Sequence, residues 1–151
     1  MRCEEVSEPT ECRLVLAVAD IDGFYKVCQS KSDLDTFRML DSFYHLVEQV
    51  VAEAGGQVVK FMGDSAFIVF PEDKAKQAVA ALQDLKSQAQ TLWSEFDAKC
   101  LVRTKAHLDS VVCGPIGPEK RFDVIGKALN ELFRRPRDAS ELSEQLKALV
   151  V

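Results

Sequence analysis

Apolar and polar positions alternate along the chain in two different rhythms. Residues 13–21, RLVLAVADI, are a short apolar run rich in Val, Leu and Ala that carries an aspartate near its end. A continuous run of that length predicts a strand buried on both faces. DGFYKV follows as a turn carrying Gly23 and leading into a short helix. From Ser32 the rhythm changes. Leu34, Phe37, Leu40, Tyr44, Val47, Val51 and Ala54 recur every three or four residues, which is the stripe of a long amphipathic helix. Ser32 and Asp35 give it a capping-box-like start, and Gly55-Gly56 stops it.

The period returns to that of strands in QVVKFM and SAFIVF, which flank Gly63-Asp64 and predict a hairpin. Pro71 ends its second strand. A second amphipathic helix is expected from about Asp73 to Phe96, with Ala75, Val79, Leu82, Leu85, Ala89, Leu92 and Trp93 on its inner side. KCLVRTKAHL predicts another strand. DSVVCGPIGPEKRFDVIG predicts a pair of short strands around a Gly/Pro-rich turn. KALNELFRR is a short helix broken at Pro136, and SELSEQLKALV a last amphipathic stretch. This order predicts an α+β fold, a ferredoxin-like βαββαβ sandwich with helices on one face of the sheet. Residues 1–12 are a lead-in and 13–151 one domain, long enough to bury a core without staples.

Composition narrows the function. The chain is 47% apolar and 28% charged, with a net charge of −5, as in a soluble globular protein. An acidic balance argues against a nucleic-acid surface, which needs a basic face. No apolar run approaches the roughly 20 residues that span a bilayer, and the polar, acidic N-terminus is not a secretory signal. The expectation is a cytoplasmic protein with no membrane and no nucleic-acid partner. Cys3, Cys12, Cys28, Cys100 and Cys113 are scattered and form no Cys-x-x-Cys pair. They predict reduced thiols and give zinc no support.

Two carboxylates carry the candidate chemistry. Asp20 ends the first strand and Asp64 sits in the hairpin turn. If that strand lies beside the hairpin, both reach one edge of the sheet, where hard oxygen ligands suit Mg²⁺ or Mn²⁺. The plainer reading of each alone is a turn-favouring aspartate. Gly23 in DIDGF lets backbone N–H groups approach an anion. Lys60, just before the turn, taken alone reads as a charge that protects an edge strand.

ADIDGF, then VVKFMGDSAFIVF, then RFDVIGKALNELFRR together resemble the class III nucleotide cyclase catalytic domain, the adenylyl and guanylyl cyclases, over residues 13–135. The resemblance implies roles position by position. Asp20 and Asp64 match the two metal-binding aspartates, and Ile21 the residue whose backbone carbonyl helps hold one of two Mg²⁺ or Mn²⁺ ions. Lys60 and Asp123 match the base-reading pair, and in this family a lysine and an aspartate there imply adenine. Gly23 and Phe24 fall at the substrate. Asn130 and Arg134, four apart on one helix face, match the transition-state residues. The implied activity is conversion of ATP to cyclic AMP and pyrophosphate by two-metal phosphoryl transfer. The implied assembly is a homodimer whose two sites each draw on both subunits.

The match departs in two places. A family segment resembling HTGEVVAG is HLDSVVCG here, with Leu108, Asp109 and Ser110 in the middle, and nothing in the pattern explains Asp109. The C-terminus is shortened, and the family's triphosphate lysine has no counterpart. Lys147 is the nearest late candidate, and Arg121 or Lys127 are the other cations that can take the role. The departures keep an alternative open: a catalytically inactive nucleotide-binding or dimerisation module. Diguanylate cyclases also put a Gly/acid turn on this hairpin, but their Gly-Gly-Asp/Glu-Glu-Phe signature is absent.

Overall fold

The computed structural model describes residues 6–136 and 140–150. Cys3, the first five residues of the expected lead-in, and Arg137 lie outside the described residues. The elements are β1 (Thr10–Asp22), α1 (Phe24–Gln29), α2 (Asp33–Glu53), β2 (Gln57–Met62), β3 (Ser65–Pro71), α3 (Ala75–Glu95), β4 (Leu101–Ile116), β5 (Arg121–Ile125), α4 (Lys127–Arg134) and α5 (Glu144–Val150). The strands form one antiparallel sheet in the order β2-β3-β1-β4-β5. This is the expected α+β sandwich.

β1 is central because both of its faces are apolar. Val15, Ala17, Ala19 and Ile21 alternate with Leu14, Leu16 and Val18, and the two sets enter two separate cores. The larger core lies under α2, α3 and α5 and holds Met39, Phe43, Phe70, Leu85, Trp93 and Leu146. Each fully buried Phe, Met or Leu there contributes roughly 1.5–3 kcal/mol. The smaller core lies on the opposite face, beneath α4, where Ala128, Leu129 and Leu132 meet Phe67, Val69, Val111 and Val124. Helices therefore cover both faces, not one. The short KALNELFR segment has its own apolar stripe, and β1's second apolar face requires a cover.

Three features differ from those the sequence suggested. β1 starts at Thr10, inside the expected lead-in, because Thr10, Glu11 and Cys12 pair with Cys113, Val112 and Val111. The buried stripe of α2 is Met39, Phe43, Val47, Val50 and Val51, whereas Leu34 and Phe37 are 57% and 71% exposed. Both stripes share Val47 and Val51, and packing selects between them through the Phe43–Trp93 contact, with ring centroids 5.7 Å apart. The expected break near Leu108 is absent. β4 runs unbroken through Asp109, whose carboxylate accepts the Ser110 N–H at 2.7 Å without leaving the strand.

The caps followed the sequence closely. Ser32 takes the N-cap of α2 and accepts from the Asp35 N–H at 3.1 Å. The hairpin is a two-residue loop, with Met62 opposite Ser65. Gly63 holds φ 62° there, in the first loop position, where type II′ turns place glycine. Among the described residues, no helix is long and apolar enough to cross a membrane.

Candidate active site

Antiparallel pairing of β1 with β3 sets Asp20 opposite Ser65, the residue after Asp64. The Ser65 hydroxyl hydrogen-bonds the Asp20 carboxylate. The Ile21 N–H donates to the Asp64 carbonyl at 3.0 Å and fixes the hairpin turn against the end of β1. The two aspartates are half-buried and line one cavity of about 500 Å³. Ile21 lines it too, although its side chain belongs to the larger core, so its main chain is what it offers. Two carboxylates and a peptide carbonyl are an all-oxygen donor set, which fits Mg²⁺ or Mn²⁺.

The turn is braced from behind. Tyr44 of α2 donates its hydroxyl to the Gly63 carbonyl, and its ring stacks on Phe61 with centroids 3.9 Å apart. Burial, and then the nearby Asp64 charge, raise the Tyr44 phenol above its ordinary value.

Three cations line the same cavity: Arg103 and Lys105 of β4, and Arg135 after α4. Sequence reasoning missed all three. The available signal was β4's alternation, which puts positions 103 and 105 on one face, and Arg103 directly opposite Asp20. Arg103 Nε donates to Asp22 at 3.0 Å, and Lys105 Nζ to the Phe133 carbonyl at 3.1 Å. Of the cations named from sequence, Lys147 pairs with Glu144 at 3.2 Å and Arg121 with Glu119 at 2.6 Å. Neither lines this cavity, and Lys127 lines a different one.

That second cavity, also about 500 Å³, is lined by Lys60, Met62, Phe67, Val124, Asn130 and Phe133, among others. A register shift between Val58 and Lys60 aims the lysine. Val58 packs on the larger core, while Val59 and Met62 pack on the smaller. The extra residue brings Lys60 opposite Phe67, on the α4 side. Bulges commonly re-aim a functional side chain in this way. Lys60 Nζ reaches Asp123 Oδ2 at 3.0 Å, and Asp123 Oδ1 accepts the Val124 N–H at 2.8 Å.

The structure thus brings Asp20, Ile21 and Asp64 together in one cavity, and Lys60 and Asn130 in the other, with Asp123 at the lysine's side. The two cavities share no lining residue. Arg134, exposed at the end of α4, lines neither. Gly23 and Phe24 also line neither. Gly23 holds φ 84° at the start of α1, and a Cβ there would lie 3.2 Å from the Lys99 carbonyl, while Phe24 packs on the larger core.

Residues 6–135 match the family model for the adenylate and guanylate cyclase catalytic domain. An adenylate cyclase of Anabaena cylindrica is 26% identical over 140 residues, covering 86% of this chain and 28% of its own length. The photoactivated adenylate cyclase subunit beta of Euglena gracilis is 28% identical over 88 residues, covering 58% of this chain and 10% of its own. The chain thus spans well under half the length of either relative. Among solved structures, the adenylyl cyclase CyaB of P. aeruginosa superposes with a TM-score of 0.85 at 18% identity, over 95% of this chain and 82% of that one. The guanylyl cyclase Cya2 gives 0.77 at 19%, over 95% and 80%.

Proposed function

The chain belongs to the adenylate and guanylate cyclase catalytic-domain family, and within it we propose an adenylate cyclase that makes 3′,5′-cyclic AMP and pyrophosphate from ATP at sites shared by a homodimer. The observation that carries the base preference is the Lys60–Asp123 pair, 3.0 Å apart at the second cavity. The lysine donates to a ring nitrogen of adenine, and the aspartate accepts from the exocyclic amine. Guanine sets a carbonyl oxygen against Asp123, acceptor against acceptor, at a cost of about 1–3 kcal/mol for the unmatched group. The apolar walls from Met62, Phe67, Val124 and Phe133 suit a flat purine.

Asp20, Asp64 and the Ile21 main chain would hold Mg²⁺ or Mn²⁺. When bound, such ions supply a more acidic ribose 3′-hydroxyl and neutralise charge at the α-phosphoryl group. The 3′-oxygen attacks the α-phosphorus in line, and pyrophosphate departs. Arg103, Lys105 and Arg135, which line the same cavity, hold the polyphosphate. The Gly23-Phe24 turn lies next along the chain from Asp22 of that cavity. Asn130 orients the ribose, and Arg134 offsets the charge that develops on the transferring group.

The separation of the two cavities supports a shared site, since each is half of what the reaction needs. Val112, Ile116, Ile125 and Phe133, on β4, β5 and α4, are each more than 40% exposed, which supports a contact surface beside the second cavity. Mixing two inactive variants tests this. Asp64→Asn and Asn130→Ala are each expected to lose turnover. Mixed in equal amounts they recover about a quarter of wild-type activity, because half the dimers are hybrids with one intact site each. A mixture that stays as inactive as its parts rejects the shared site.

A further inference from the structure

We propose that His107, Asp109 and Glu131 form a second divalent-cation site, separate from Asp20 and Asp64, that takes a borderline ion such as Zn²⁺ through one imidazole nitrogen and two carboxylate oxygens. Their ligand atoms all lie within 4.8 Å of one another. His107 and Asp109 stand two apart on β4 and so share the face under α4, which supplies Glu131. The His107 side chain is only 5% exposed and Nε2 is its atom nearest both carboxylates, 3.2 Å from Asp109 Oδ2 and 3.9 Å from Glu131 Oε2. Bonds of about 2.0–2.2 Å in a tetrahedral site put neighbouring ligand atoms roughly 3.3–3.6 Å apart. The two gaps to Nε2 bracket that spacing, the Asp109–Glu131 gap lies within 4.8 Å, and the exposed Glu131 side chain can move to close it.

Hydrogen bonding alone leaves the cluster incomplete. One imidazole nitrogen carries one proton at most, so it donates to Asp109 and leaves Glu131 beyond bonding distance. The surrounding cations are engaged elsewhere. Arg135 lines a cavity of about 190 Å³ with His107 and Glu131, but its guanidinium donates to the Ser140 and Leu142 carbonyls. Arg13, across from Ser110 on β1, pairs with Glu72 at 3.2 Å. Glu144, in the same small cavity, pairs with Lys147. Two carboxylates thus converge on one buried imidazole edge, and among the described residues no lysine or arginine is bonded to either.

Asp109 is also the residue that the sequence motif left unexplained, at the centre of HLDSVVCG. The cysteine pattern gave zinc no support, and this site uses no cysteine. Asp109 pairs with Leu14, six residues along β1 from Asp20, or roughly 20 Å; Arg135 lines both the small cavity and the first one, so the two sites are neighbours with separate ligands. An ion here ties α4 to β4. Since α4 carries Asn130 and Arg134, occupancy then steadies both, a consequence that rests on the cyclase reading, whereas ion binding does not.

The test is Zn²⁺ titration calorimetry on the full chain carrying Asp20→Asn and Asp64→Asn, so that the other aspartates do not compete. One ion per chain is expected. Adding Asp109→Asn or Glu131→Gln, both at exposed side chains, weakens binding by about tenfold or more. Co²⁺ in place of Zn²⁺ gives visible absorption bands of a four-coordinate centre, and His107→Gln removes them. The proposal is overturned if the parent takes up no ion, or if it binds Zn²⁺ equally well with and without Asp109→Asn and Glu131→Gln. Turnover of ATP by the wild type is a separate readout, so failure of this site and failure of the cyclase reading are distinguishable.

Discussion

Lys60 and Asp123 stand on the two outermost strands of the sheet, yet their side chains meet at 3.0 Å. Three strands separate β2 from β5 in the hydrogen-bonding order, so the sheet curls far enough for its edges to approach. Strand twist accumulates in that sense, and the 16-residue β4 carries β5 over the face. A bulge in β2 completes the arrangement by aiming Lys60 toward the α4 side. On the proposed reading, base choice therefore depends on two residues that no local sequence window contains.

Exchanging that pair is expected to change the base. Lys60→Glu with Asp123→Cys removes the donor for adenine's ring nitrogen and the acceptor for its amine. We expect kcat/KM for ATP to fall by at least about tenfold, which corresponds to about 1.4 kcal/mol, and the ratio of GTP to ATP turnover to rise. Parallel assays with both nucleotides measure it. An unchanged ratio removes this pair from base recognition.

Tyr44 holds the turn that carries Asp64. Tyr44→Phe keeps the stack on Phe61 and deletes only the hydroxyl that donates to Gly63, at a cost of about 0.5–1.5 kcal/mol. A lower melting temperature and a higher metal requirement for turnover are expected. The phenol is raised in the fold, so its contribution is complete below the ordinary phenol range and is lost as pH rises through the folded value. The stability gap between wild type and variant should then narrow in strong alkali.

Gly56 is fixed by crowding, not by its backbone angles. A Cβ there would lie 2.5 Å from two ring carbons of Phe70 and 3.0 Å from a Val51 methyl. Phe70 and Val51 are buried in the larger core and cannot yield without repacking. Gly56→Ala is expected to destabilise by about 1–3 kcal/mol, read as an earlier denaturant midpoint at constant slope. Gly63→Ala, at an open position with nothing within 4 Å of a new Cβ, should act only through its positive φ.

Much of the fold was legible in the residues. The apolar run of β1, the capped start of α2 and the Gly-Asp hairpin each have a local cause, and each formed where that cause lies. The exposed Leu34 and Phe37 mark the limit of that reading, since a helix with apolar residues on more than one stripe is oriented by its neighbours. The site divided in the same way. Motif matching pointed to Asp20, Asp64, Lys60 and Asp123, and β1 and the hairpin bring the first two side by side. Arg103, Lys105 and Arg135 were invisible because their relevance comes from register: β4 lies opposite β1, and the chain after α4 returns to the same cavity. Asp109 looked like a break in β4 and is instead a strand residue facing a buried histidine.

The most direct measurement is nucleotide turnover by the full chain with Mn²⁺ or Mg²⁺, at a concentration where a dimer is verified, with cyclic products identified by mass spectrometry. The account predicts cyclic AMP from ATP, little product from GTP, and loss of turnover in Asp64→Asn. Cyclic GMP as the main product, or no cyclic product from the verified dimer, would contradict it.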